Sequence, residues 1–162
     1  MLIAHKYIVF CEEHYNPLGV IRSLGEQGVF PVLIVVRDKK GRQIASKSKY
    51  ISKIYKVNSI DDGYSILTTY YSAKGQKIFV ITSDDKITSH LDEHYDELRK
   101  DFIFFNAGKK GRITQFMNKD TLSKLAIKYG LNVPKSYVVN KGEIPENIQY
   151  PVITKSISST IG

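Results

Sequence analysis

Lys155 and the run behind it, Ser156-Ile157-Ser158-Ser159-Thr160-Ile161-Gly162, are the residues of this chain best suited to handling phosphate. A lysine borne on a strand and followed by a Ser/Thr/Gly turn aims a fixed positive charge and backbone N–H groups at phosphate oxygens. A second group, Glu12, Glu13, His14, Tyr15 and Asn16, follows the first apolar run, and a third, Ser83, Asp84 and Asp85, follows a later one. Their acids and hydroxyls suit a polar or cationic small molecule better than a pyrophosphate. The dinucleotide fingerprint G-x-G-x-x-G is absent, because Gly19, Gly25 and Gly28 fall inside or at the end of a helix. Cys11 and His14 have the residue types of a nucleophile and its base, but a cysteine at a strand end is more often a small buried hydrophobe. His90-Leu91-Asp92-Glu93-His94 matches H-x-x-E-H, which sets two imidazoles on one helical face. With Asp96, Glu97, Arg99 and Lys100 close by, that segment reads as a charged, solvated helix and not as a zinc site.

These groups need a scaffold, and the pattern of the chain predicts one. His5–Phe10, Pro31–Val36, Lys53–Val57, Lys77–Thr82 and Phe102–Ala107 read as five strands. The runs PVLIVV and KIFVIT lack polar alternation, which suits strands buried on both faces of a parallel sheet. Between them lie predicted helices: one opened by Asn16-Pro17 and closed by Gly28, one from Ile60 to Gly75, and a charged one over Asp84–Lys100. The expected fold is a doubly wound, mostly parallel α/β sheet in the order 3-2-1-4-5. Val9, Leu33, Val35, Val80, Ile81 and Phe104 are its expected continuous core. The crevice between the first and fourth strands would then be lined by the second and third groups.

The character changes at Lys109-Lys110-Gly111-Arg112, which divides the chain into a domain over 1–110 and a second segment over 111–162. The second segment should hold a helix after Asn118-Lys119-Asp120, ended by Gly130 and Pro134, and two short strands at Ser136–Val139 and Pro151–Lys155. It is expected to pack loosely on the first.

Composition narrows the class. The 162 residues are 42% hydrophobic and 25% charged, an ordinary globular balance. One cysteine excludes an internal disulfide framework. No apolar run reaches the ~20 residues of a membrane span, and the expected setting is cytoplasmic. The formal charge of +8 is uneven: Arg37–Lys56 carries eight bases against Asp38, while Asp61–Asp101 carries nine acids against five bases. This reads as a solvated basic connection, so nucleic acid is not a favoured partner.

In order along the chain, three segments resemble the ATP-grasp superfamily. Asn16–Gly28 is similar to the first helix of the Rossmann-like domain that precedes the ATP-grasp fold. Asn118-Lys119-Asp120, Leu125-Ala126 and Tyr129-Gly130-Leu131-Asn132-Val133-Pro134 resemble the helix and proline that open the ATP-grasp module. Tyr150-Pro151-Val152-Ile153-Thr154-Lys155 resembles its P-V-I-x-K strand. The types most similar are carboxylate–amine ligases, D-aspartate ligases and carbamoyl-phosphate synthase large chains.

The resemblance implies ATP-dependent ligation through an acylphosphate, with a small carboxylate, an amine acceptor, ATP and Mg²⁺. Lys119, Lys155, Ser156, Ser158, Ser159 and Gly162 would then bind nucleotide, although the family's loop is richer in glycine. The metal-holding acids of the family would follow Gly162, so this chain is expected to hold no metal site. It is read as a truncated or split-gene product, inactive alone and weak toward ATP·Mg²⁺. It would act as a homodimer or with a separately encoded remainder. The alternative is a free-standing Rossmann-like or flavodoxin-like module that binds a small polar ligand or nucleic acid.

Overall fold

The computed structural model describes residues 5–73, 75–146 and 148–157. Five strands, β1 (Tyr7–Glu12), β2 (Val32–Val36), β3 (Lys53–Val57), β4 (Ile78–Thr82) and β5 (Phe102–Phe104), form one sheet in the order β3-β2-β1-β4-β5. Every pairing is parallel: Val9 lies level with Leu33 on one side and Ile81 on the other. The chain is a doubly wound, Rossmann-like α/β fold with the expected strand order.

Helix α1 (Tyr15–Glu26) and α2 (Ile60–Tyr71) lie on opposite faces. A short 3-10 turn, Ala45–Lys47, adds to the α1 side. The sheet therefore separates two clusters and does not enclose the single core expected. Ile8, Phe10, Ile34, Val80 and Phe104 face α2 with Leu67 and Tyr71. Val9, Cys11, Leu33 and Val35 face α1 through Ile21. Period-2 alternation sends neighbouring residues to opposite faces; Ile81 is only half-buried. β1 is central, and Ile8, Val9, Phe10 and Cys11 are wholly shielded. Each aliphatic or aromatic side chain so buried contributes about 1.5–3 kcal/mol.

Three helix boundaries differ from expectation. α1 begins at Tyr15, capped by His14, whose Nδ1 accepts from the Asn16 N–H at 3.3 Å. Pro17 sits in the first turn, where a missing N–H breaks no helical hydrogen bond. α2 ends at Tyr71 and not at Gly75. Its start is a capping box: Ser59 Oγ accepts from the Asp62 N–H at 3.0 Å, and Asp62 accepts from the Ser59 N–H at 3.1 Å. The charged helix is two, α3 (Asp85–Glu93) and α4 (Tyr95–Leu98). At the break, His94 Nδ1 lies 2.9 Å from the His90 carbonyl, competing for the oxygen that the helix ladder would use.

Beyond β5 come α5 (Arg112–Met117) and α6 (Lys119–Lys128). α5 was not expected: Gly111, at φ 70°, opens it without a side-chain cap. It is tied to α3. Asp92, fully buried, accepts from the Thr114 N–H at 2.9 Å through Oδ2 and from the Gly111 N–H at 3.2 Å through its carbonyl. The expectation that Asp92 belongs to a solvated face is thereby corrected. The two short strands expected at 136–139 and 151–155 do not form. Those residues are exposed, and β-prone segments without a paired neighbour gain no ladder hydrogen bonds. Among the described residues, no helix is long and apolar enough to cross a membrane.

Candidate functional site

The parallel order 3-2-1-4-5 puts the switch point between the C-terminal ends of β1 and β4. Asp84 bridges it. Its Oδ2 accepts from the Glu12 N–H at 3.2 Å and its Oδ1 from the Ile87 N–H at 3.0 Å, capping α3. Burial pushes the Asp84 carboxyl above its ordinary value; the two N–H donors oppose that shift, and the Glu12 charge adds to it. Glu13 turns away from the crevice. Nearly buried, its Oε2 accepts from the Ile44 N–H at 3.0 Å and the Ser46 N–H at 3.3 Å, which pins the β2–β3 loop. His14 is occupied as the cap of α1, while Tyr15, Asn16 and Asp85 are exposed. Ser83 Oγ is shielded and has no partner among the described residues. The crevice thus gathers Glu12, Ser83 and Asp84 but not Glu13.

Cys11 lies in the α1-side core. Burial, then the charges of Asp84, Glu13 and Glu12, push its thiol far above its ordinary value, which removes the thiolate a nucleophile needs. The His90 and His94 rings lie 4.7 Å apart, tilted by 31°, with Tyr64 against both, and Tyr64 Oη donates to Glu97 at 2.7 Å. The pair is half-buried on the α2–α3 seam and not a free surface. Glu93 leaves that face: its carboxylate lies against Gly111. No group of three or more His, Cys, Asp or Glu among the described residues is arranged to hold a metal.

The lysine segments converge at the start of α6. Asn118 caps this helix, its Oδ1 accepting from the Thr121 N–H at 3.0 Å. The Lys119 N–H, one of the free donors of a first helical turn, reaches the Ile157 carbonyl at 3.0 Å. Residues 38 positions apart in sequence are joined there, with Lys119, Lys155 and Ser156 all exposed. Ser158, Ser159 and Gly162, expected in the same loop, lie outside the described residues.

Sequence reasoning missed a further grouping. The α5–α6 hairpin collects Lys109, Lys110, Arg112, Lys124 and Lys128 around one concavity. The readable signal was the spacing of Thr121, Lys124, Leu125 and Lys128, which places all four on one helical face. The basic crossing at 109–112, which in sequence marks a boundary, supplies the facing cations. No family model and no curated protein matches this chain.

Proposed function

We propose that this chain is the front part of an ATP-dependent carboxylate–amine ligase that works through an acylphosphate. The observation that carries the reading is the 3.0 Å hydrogen bond from the Lys119 N–H to the Ile157 carbonyl. The segment behind Lys155, read for phosphate chemistry, meets there the helix start at Lys119 that the family resemblance places in the nucleotide site, on a Rossmann-like fold of the expected strand order. In the proposed reaction a carboxylate oxygen attacks the γ-phosphorus of ATP, and ADP departs. The amine nitrogen then attacks the acyl carbon, phosphate leaves, and the amine's proton passes to solvent or a base.

The work asked of this chain is charge neutralisation and positioning, which dominate phosphoryl transfer. Lys119 and Lys155 would face the phosphate oxygens, and Ser156 would donate a hydrogen bond. Mg²⁺ does not fit the described residues. Glu143, an acid near these lysines in sequence, is engaged by the Asn140 N–H at 2.9 Å and the Asn140 side chain at 3.1 Å.

A free-standing module at the β1–β4 crevice has less support, because Glu13 and Asp84 both hold backbone N–H groups. The test is ADP release by a longer product carrying this chain, with a panel of small carboxylates and amines. Release that depends on both substrates and falls in Lys119→Ala and Lys155→Ala is expected. Release indifferent to both lysines would count against the reading.

A further inference from the structure

We propose that the α5–α6 hairpin holds a binding site for a compact polyphosphate, separate from the nucleotide site assigned to Lys119 and Lys155. A concavity of about 560 Å³ opens between the 109–112 crossing, α5 and α6. Its walls carry Lys109, Lys110, Arg112, Lys124 and Lys128, and its lining includes Phe116 but no acid. Lys124 pairs with Asp120 at 2.6 Å. Among the described residues the other four cations have no carboxylate within 4.0 Å.

Like charges gathered in one concave volume repel, and the low-dielectric walls of a cleft focus their field. A ligand with several clustered negative charges relieves that repulsion. A chloride or a single carboxylate offers too little charge to engage four unpaired cations. The volume lies within the range of small-molecule sites. Phe116 and Leu125 supply apolar surface, while Thr121 and Gln115 add hydrogen-bonding groups.

The other basic region, Arg37–Lys56, has more of its cations engaged. There Arg42 is held by Asp38 at 2.9 Å, and Lys56 donates to Gln43 at 3.1 Å. Lys49 and Lys53 lie over the rings of Tyr50 and Tyr55. Among the described residues four of its eight cations are engaged in this way, against one of the hairpin's five. An extended single strand of nucleic acid would call for a long basic groove and a series of stacking aromatics. The hairpin offers one aromatic and a short, open footprint, which favours a compact ligand.

The experiment is a titration of the isotope-labelled 162-residue chain with tripolyphosphate, followed by backbone amide NMR. Saturable shifts at residues 109–116 and 124–128, with none at 155–157, are expected. Arg112→Ala combined with Lys128→Ala should weaken binding at least about tenfold, as befits lost charged hydrogen bonds. Both residues are exposed, and circular dichroism will verify that the double variant keeps its fold. Lys39→Ala with Lys40→Ala should leave the affinity unchanged. Three outcomes would overturn the proposal: no saturable shift at 109–128, an unaltered affinity in the Arg112/Lys128 variant, or tighter binding of a single-stranded oligonucleotide with shifts spreading over 37–56.

Discussion

Substituting alanine for glycine at two helical positions should change stability in opposite directions. At Gly63 in α2, an added Cβ would lie 2.4 Å from Phe10 Cζ and 3.1 Å from Ile34 Cγ2. Carbon pairs sit comfortably at about 3.5–4.0 Å, so the ring is more than an ångström too close. Phe10 is wholly buried in the central strand and has nowhere to retreat. Such overpacking costs about 1–3 kcal/mol. At Gly19 in α1, nothing lies within 4 Å of the new methyl. Both substitutions gain the same helix propensity, about 0.8–1 kcal/mol. The propensity gain cancels in the comparison, leaving Gly63→Ala less stable than Gly19→Ala by the steric cost, about 1–3 kcal/mol. With a urea slope of about 2 kcal/mol/M, midpoints should separate by roughly 0.5–1.5 M. Gly19→Ala should lie above the parent. A Gly63→Ala midpoint equal to or above that of Gly19→Ala would refute the close packing of α2 on β1.

Two further predictions concern α3. Asp92→Ala leaves the Thr114 N–H without its buried acceptor, so stability should fall by about 1–3 kcal/mol and amide exchange over 112–117 should quicken. Unchanged exchange there would mean that α5 is not held by Asp92. Burial and the neighbouring His94 hold the His90 imidazole below its usual 6.5, with Asp61 pulling weakly the other way. The unfolded chain therefore takes up this proton first as pH falls. The stability that His90 contributes is full above about pH 6.5 and is lost as pH drops through its lower folded value. Urea midpoints at pH 7.5 and 5.5 should differ more for the parent than for His90→Gln, and an equal difference would contradict the assignment.

The scaffold was readable because burial on both faces leaves a mark in the residues themselves. Val32–Val36 has no polar alternation and became an interior strand flanked by β1 and β3. Short-range signals failed where a tertiary partner decided the outcome. The β-prone residues 136–139 and 151–155 stay unpaired, and the acidic label on α3 hid Asp92 beneath α5. Glu13 looked like a crevice ligand, yet its partners are the backbone of a loop 31 positions away, which no local pattern encodes. The Lys119–Ile157 contact has no local signal: Lys155 stands out for phosphate by its own context, Lys119 only through the family resemblance, and their meeting depends on the chain's path after α6. The hairpin cations escaped notice because α5 lacks a capping side chain to announce it.

The central claim is that Lys119 and Lys155 belong to one nucleotide site. Calorimetric titration of ATP·Mg²⁺ into a longer product carrying this chain, and into its Lys155→Ala variant, tests it most directly. Loss of one charged hydrogen bond to phosphate should weaken binding by about 1.5–3 kcal/mol, roughly ten- to a hundredfold. An affinity unchanged by Lys155→Ala would contradict the site and the ligase reading built on it.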